Sequence, residues 1–111
     1  MKCEFMDRAI ELARGGISRG EGGPFGAVVV RNGEIIGEGW NQVLATNDPT
    51  AHGEVMAIRD ACHKISGHSP AGCEIYTTGQ PCPMCLGAIH WARIGAIYYG
   101  FSIGDTAGIG F

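Results

Sequence analysis

Residues 25–40 read FGAVVVRNGEIIGEGW, and this stretch constrains the fold more than any other. FGAVVV is rich in β-branched residues and fits a buried strand. Asn32-Gly33 is a pair that takes up a tight two-residue turn, and IIGEGW returns as a second strand. A hairpin commits the chain to a sheet, and the segments after it decide how the sheet is covered. CEIYTT (73–78) and GAIYYGF (95–101) read as two more strands, each preceded by a segment with helical character. The order is α-β-β-α-β-α-β. Strands separated by helices need crossover connections, which lay helices against the faces of the sheet. The 111 residues have room for one domain, and no internal repeat, linker or low-complexity segment divides them.

The helices are drawn by periodicity. Phe5, Ala9, Ala13 and Ile17 recur at four-residue steps, with Met6, Ile10 and Leu12 widening the stripe, so residues 3–18 are expected to form a helix with one buried face. RGEGGP ends it, since Gly and Pro cannot carry it on. NQVLATNDPT reads as a loop. Thr50 is the expected N-cap of a second helix running to about Ile65, with Val55, Ile58 and Cys62 on one side and Arg59, Asp60 and Lys64 on the other. SGHSPAG is a turn. CPMCLGAIHWARI (82–94) is a third helix, and Pro83 suits its first turn. The end, SIGDTAGIGF, is Gly-rich and allows at most a short helix around Thr106.

Composition excludes several classes. Apolar residues make up 45% and charged residues 17%, enough core and too little charge for a disordered tail. The net charge is −3 and no basic run exists, which weighs against a polyanionic partner such as tRNA. No apolar stretch approaches the roughly 20 residues of a membrane span. The N-terminus MKCEFMDRAIELA carries acids and no small-residue cleavage site, so it is not read as a signal peptide. The expectation is a cytoplasmic chain. There, paired cysteines among the five are more often metal-binding or catalytic than disulfide-bonded.

Cys82 and Cys85 stand three apart in PCPMC, on one face of the first turn of a helix. Free N–H groups and the helix dipole favour thiolates there. The spacing alone fits a metal site, a redox pair or ordinary core packing. His52 shifts the balance, because it opens the preceding core helix. Two helices on one side of a sheet can bring their N-termini to one edge, making His52, Cys82 and Cys85 three legs of a tetrahedron. Three protein ligands is the pattern of a catalytic zinc, whose fourth position holds water, whereas a structural zinc usually has four. No convincing fourth ligand stands out: Cys62 lies deep in its helix and Cys73 precedes a strand, while His63, His68 and His90 remain candidates against the commoner reading of surface or hydrogen-bonded residues. Glu54 follows His52 too closely to share the metal but is well placed to take a proton from water beside it. The competing reading is an acid stabilising the helix dipole. Together His52-Gly53-Glu54 and Pro81-Cys82-Pro83-Met84-Cys85 match the H-x-E…P-C-x-x-C signature of zinc nucleobase deaminases.

With GGPFGAVVV, NDPTAHGEVMAI, PCPMCLGAIHWARI and GF, the chain resembles the cytidine-deaminase-like superfamily over nearly its whole length, and within it the bacterial-type guanine deaminases. The resemblance implies a three-layer α/β/α sandwich with a mixed sheet of about five strands. It implies hydrolytic loss of an exocyclic amine from a purine base, most similar to guanine going to xanthine and ammonia, one zinc ion per chain and a homodimer. Residue by residue it implies zinc on His52, Cys82 and Cys85, proton shuttling by Glu54, a base held by Asn41, an N–H from Gly53, and a pocket lined by Phe25 and Trp91. Core packing competes for Phe25 and Trp91, and turn formation for Asn41.

Three features depart from the family pattern. Gly53 stands where Ala is usual, and Gln80 stands where Glu usually precedes Pro81. Similar proteins continue beyond GF with an acidic pair and a C-terminal segment exchanged between subunits, so residues 1–111 are expected to be a single deaminase domain without that segment. A tRNA adenosine deaminase or a cytosine deaminase would carry the same zinc core. A non-catalytic zinc module of the same fold would keep the ligands, and a thioredoxin-like redox protein would leave His52 and Glu54 unexplained. The roles of Cys3, Cys62, Cys73 and Gln80 are not legible from the pattern.

Overall fold

The computed structural model describes residues 3–101. Helix α1 (Cys3–Ser18) leads into strands β1 (Gly26–Arg31) and β2 (Glu34–Trp40), then the single turn α2 (Val43–Thr46), helix α3 (Gly53–Ile65), strand β3 (Glu74–Gly79), helix α4 (Pro83–Trp91) and strand β4 (Ala96–Phe101). Asn32 and Gly33 both have positive φ, 51° and 79°, as the hairpin turn requires. The sheet order is β2-β1-β3-β4, with β1 antiparallel to β2 and β3, and β3 parallel to β4. The described residues thus carry four strands of a mixed sheet where about five are expected. The helix anticipated around Thr106 lies outside the described residues.

The period of a strand sorts β1 onto two cores. Val28 and Val30 face α1 with Phe5, Met6, Leu12 and Tyr76, and Phe5 tilts against Tyr76 with ring centroids 5.2 Å apart. Ala27 and Val29 face α3 and α4 with Ala57, Ala61, Cys73, Ile75 and Ile89. Helices thus cover both faces of the sheet, which makes the three-layer α/β/α arrangement.

Four local expectations need correcting. Ile17 is exposed; the stripe of α1 ends instead on Gly16, which packs beneath the Trp40 ring. The segment 41–50 holds the helical turn α2, closed by Asn47 in the left-handed region. Thr50 is no N-cap: its N–H and hydroxyl both donate to Asp48 Oδ1, at 2.8 and 2.6 Å, which turns the chain before the helix starts. His52 is the residue at that cap position, and α3 begins at Gly53. Helix α4 stops at Trp91 because Arg93 takes φ 65°, which breaks the helical path short of Ile94.

Candidate metal centre and base site

Because β2 and β3 are both antiparallel to β1, they run parallel to each other. Each is followed by a helix, and α3 and α4 lie on the same face. The N-termini of both helices therefore meet at the carboxyl ends of β2 and β3. His52 and Cys82 occupy the cap positions of these helices, both with extended backbone (ψ 155° and 170°). Neither side chain caps its own helix, which leaves both turned to a common point. Cys85 follows one turn into α4, fully buried.

Close packing sets how near α3 comes to the sheet. A Cβ added at Gly37 would lie 2.5 Å from the Ala57 carbonyl oxygen, and one at Gly39 would lie 2.5 Å from that of Gly53. Glycines there, facing the small residues Gly53, Ala57 and Ala61, seat the start of α3 directly on β2.

His52 Nδ1 lies 3.6 Å from Cys82 Sγ and 3.4 Å from Cys85 Sγ, and the three donor atoms all lie within 4.8 Å of one another. With metal–nitrogen bonds of about 2.0–2.1 Å and metal–sulfur bonds of about 2.3 Å, a tetrahedral centre places nitrogen and sulfur about 3.6 Å apart. The donors are thus spaced for zinc, and one nitrogen with two sulfurs is the softness that zinc takes. Among the described residues no other group of His, Cys, Asp or Glu has this geometry.

Burial raises the pKa of the Cys85 thiol far above its ordinary value, and the neighbouring Glu54 carboxyl adds to this. A cation reverses that balance, since coordinating thiols lose their protons. Glu54 is itself buried, with 8% of its surface exposed. Burial raises its pKa, opposed by its own backbone N–H, by His52 and by a hydrogen bond with Cys85. It is a carboxyl beside the metal centre whose protonated form is not penalised, as a proton shuttle needs.

The same edge gathers other predicted residues. Phe25 precedes β1, which runs back from this end, and its carbonyl accepts the Asn41 N–H at 2.9 Å. Gly53 sits under Phe25 and Gly26, 3.4 Å being left for a Cβ. Asn41 Oδ1 accepts the Val43 N–H at 3.1 Å, so the carboxamide nitrogen is the end it can offer to a ligand. Trp91 is not brought here: it lies nine residues beyond Cys82 at the far end of α4, 79% exposed. Phe101 lies beside Phe25 at this edge, without any sign of it in the sequence pattern. It pairs with Gly79 in register, its ring lies where a Gly79 Cβ would be and 6.3 Å from the Phe25 ring, and its carbonyl accepts the Gln80 N–H at 2.7 Å. No local signal reveals it, because its place depends on β4 lying beside β3.

A family model for the cytidine and deoxycytidylate deaminase zinc-binding region matches residues 1–101. The guanine deaminase of Bacillus subtilis is 52% identical over 107 residues, covering 96% of this chain and 69% of that protein. Its crystal structure superposes with a TM-score of 0.95 over all of this chain and 71% of the other. The guanine deaminase structure from Nitrosomonas europaea gives a TM-score of 0.90 at 33% identity, covering 96% of this chain and 62% of that one. The tRNA-specific adenosine deaminase of Aquifex aeolicus is 39% identical over 95 residues, 86% of this chain and 62% of that protein.

Proposed function

The chain belongs to the cytidine and deoxycytidylate deaminase zinc-binding family, and from that premise we propose that it removes the exocyclic amine of guanine by hydrolysis, giving xanthine and ammonia. The observation that carries this choice is the likeness to the Bacillus subtilis guanine deaminase, 52% identical where the Aquifex aeolicus tRNA-specific adenosine deaminase is 39% identical. The net charge of −3 favours a small base over tRNA in the same way.

In this reading residues 1–111 form one deaminase domain, and His52, Cys82 and Cys85 hold one zinc ion. When bound, the ion supplies a Lewis acid that brings the pKa of water down to about 7. Asn41 donates its amide N–H to the base and fixes its orientation. The Gly53 N–H, at the start of α3, faces the developing charge. Phe25, with Phe101 behind it, walls the base from solvent. Glu54 moves the protons. As the carbon–oxygen bond forms, Glu54 takes a proton from the attacking water and passes it to the ring nitrogen beside the amino-bearing carbon. It then carries the proton of the new hydroxyl to the amine. The carbon–nitrogen bond breaks, ammonia leaves, and the carbonyl of xanthine forms while the ring nitrogen keeps its proton.

A cytoplasmic homodimer goes with this reading. Among the described residues no helix is long and apolar enough to cross a membrane. Leu86 and Trp91 rim an apolar hollow of about 580 Å³ on the outer side of α4, a face suited to a second copy, and Trp91 would enter a pocket only across that contact. The test is ammonia release by the zinc-loaded protein from guanine, cytosine, adenosine and tRNA. Guanine is expected to react fastest. Release from tRNA with none from guanine would replace this reading with the adenosine deaminase one.

A further inference from the structure

We propose that Gly22 is a positioning residue that fixes the carboxamide of Asn41, and through it the orientation of the bound base. The proposal rests on the reading of Asn41 as the residue that holds the base.

A Cβ added at Gly22 would overlap Asn41 Oδ1 and its backbone oxygen, and would lie 2.7 Å from its carbonyl carbon. Two of these three atoms are backbone, so they cannot swing aside as the tip of a side chain can. Nor can the loop retreat. On one side of Gly22 the Glu21 carbonyl accepts the N–H groups of Leu44 and Ala45, at 3.1 and 3.0 Å. On the other, the Phe25 carbonyl accepts the Asn41 N–H at 2.9 Å. Gly26, next in line, donates its N–H to the buried Thr78 hydroxyl at 3.2 Å. The loop is therefore anchored on both sides of Gly22, and a methyl group there must displace Asn41 or break an anchor.

Asn41 is held from the other side as well. Its Oδ1 accepts the Val43 N–H, and the Gln42 N–H donates to the Ala51 carbonyl at 2.9 Å, one residue before His52. Gly22 thus closes the fourth side of a box around Asn41 whose other walls are Phe25, α2 and the residue preceding the metal centre. An added methyl alters where the amide N–H points while leaving the three metal donors on their own helices.

The experiment uses Gly22→Ala, Asn41→Ala, the double variant, and Gly67→Ala as a control in an open turn, where the nearest atoms to a Cβ are 3.9 Å away. Gly22→Ala is expected to keep its zinc and to raise KM for guanine about tenfold or more with a smaller change in kcat, as loss of a buried polar partner does. Because Gly22 acts through the Asn41 carboxamide, the KM loss in the double variant should be smaller than the sum of the two single losses. Independent additive losses, or a Gly22→Ala enzyme with the parent's KM, would overturn the proposal. The base-free protein gives a second readout. The Asn41 side-chain amide resonances should move in Gly22→Ala and stay in place in Gly67→Ala. Unmoved Asn41 resonances would overturn it whichever base the enzyme takes, which separates failure of this inference from failure of the guanine assignment.

Discussion

The two faces of the sheet are packed by different means. Against α1 the contacts are large: Phe5, Met6, Leu12 and Tyr76 fill the space above Val28 and Val30, and Tyr98 stacks on Tyr76 at 4.8 Å. The helix comes to backbone distance at Gly26, where a Cβ would sit 2.9 Å from the Ala13 nitrogen. Against α3 the contacts are small residues and backbone, with Ala57, Ala61 and Gly53 lying on Gly37 and Gly39. Side-chain packing tolerates exchange, because volumes can be redistributed. Backbone-on-backbone packing does not, and it fixes the start of α3 against the sheet. The face that carries the metal donors meets its helix at two such backbone contacts, Gly37 and Gly39, where the other face has Gly26.

The largest effect is expected at the donors themselves. Cys82→Ala should lose zinc, read by metal analysis of the purified protein; a full complement in that variant would remove Cys82 from the ligand set. Glu54→Gln should keep both metal and fold while lowering turnover by roughly 10²–10⁴-fold, the usual contribution of a placed acid–base group. A near-normal rate would take Glu54 out of the proton transfer.

The two faces are contrasted directly by one substitution on each. Gly39→Ala drives a methyl into the backbone of α3 and should cost about 1–3 kcal/mol in urea unfolding. It should also weaken zinc binding, because His52 moves with the helix start. Phe5→Leu on the other face should cost about 1 kcal/mol and leave zinc affinity alone. Equal zinc affinity in both variants would erase the distinction between the faces.

A smaller effect tests the link between α1 and the edge strand. Arg8 holds Glu38 through two hydrogen bonds, at 2.6 and 3.1 Å, and lowers the carboxyl pKa below its ordinary value. Glu38→Gln should cost about 0.5–1 kcal/mol near neutral pH. A lowered carboxyl pKa adds stability above the unfolded value of about 4.3, and that stability is lost as pH falls through the folded value. Parent and variant should therefore converge in acid; a gap undiminished at about pH 3 would assign the loss to packing rather than charge.

The smallest effect is at Gly53. A Cβ there meets Phe25 O and Gly26 Cα at 3.4 Å, ordinary contact. Gly53→Ala should gain a few tenths of a kcal/mol from helix propensity, without loss of zinc. A clear drop in melting temperature would show the seat of α3 to be tighter than the 3.4 Å contact implies.

Much of the fold is legible in the sequence. Hairpin, strands and the three long helices come from period and turn residues over a few positions, and so does the placing of His52, Cys82 and Cys85 at helix starts. The local errors fall where a neighbour decides. Thr50 has the chemistry of an N-cap, but Asp48 takes up both its donors. Ile17 continues the period of α1, but the chain turns away at Gly20, whose φ is 67°.

The sequence by itself determined the donor atoms, the acid beside them and the helices that carry them, because residue type and short-range periodicity are local properties. Only the tertiary structure decided that His52 meets two sulfurs thirty and thirty-three positions away, that Phe101 closes on Phe25, and that Gly22 presses on Asn41. Those contacts depend on β1 lying between β2 and β3 and on both crossovers covering one face. Strand order is fixed by the sum of many distant contacts, and no short window of sequence carries that sum.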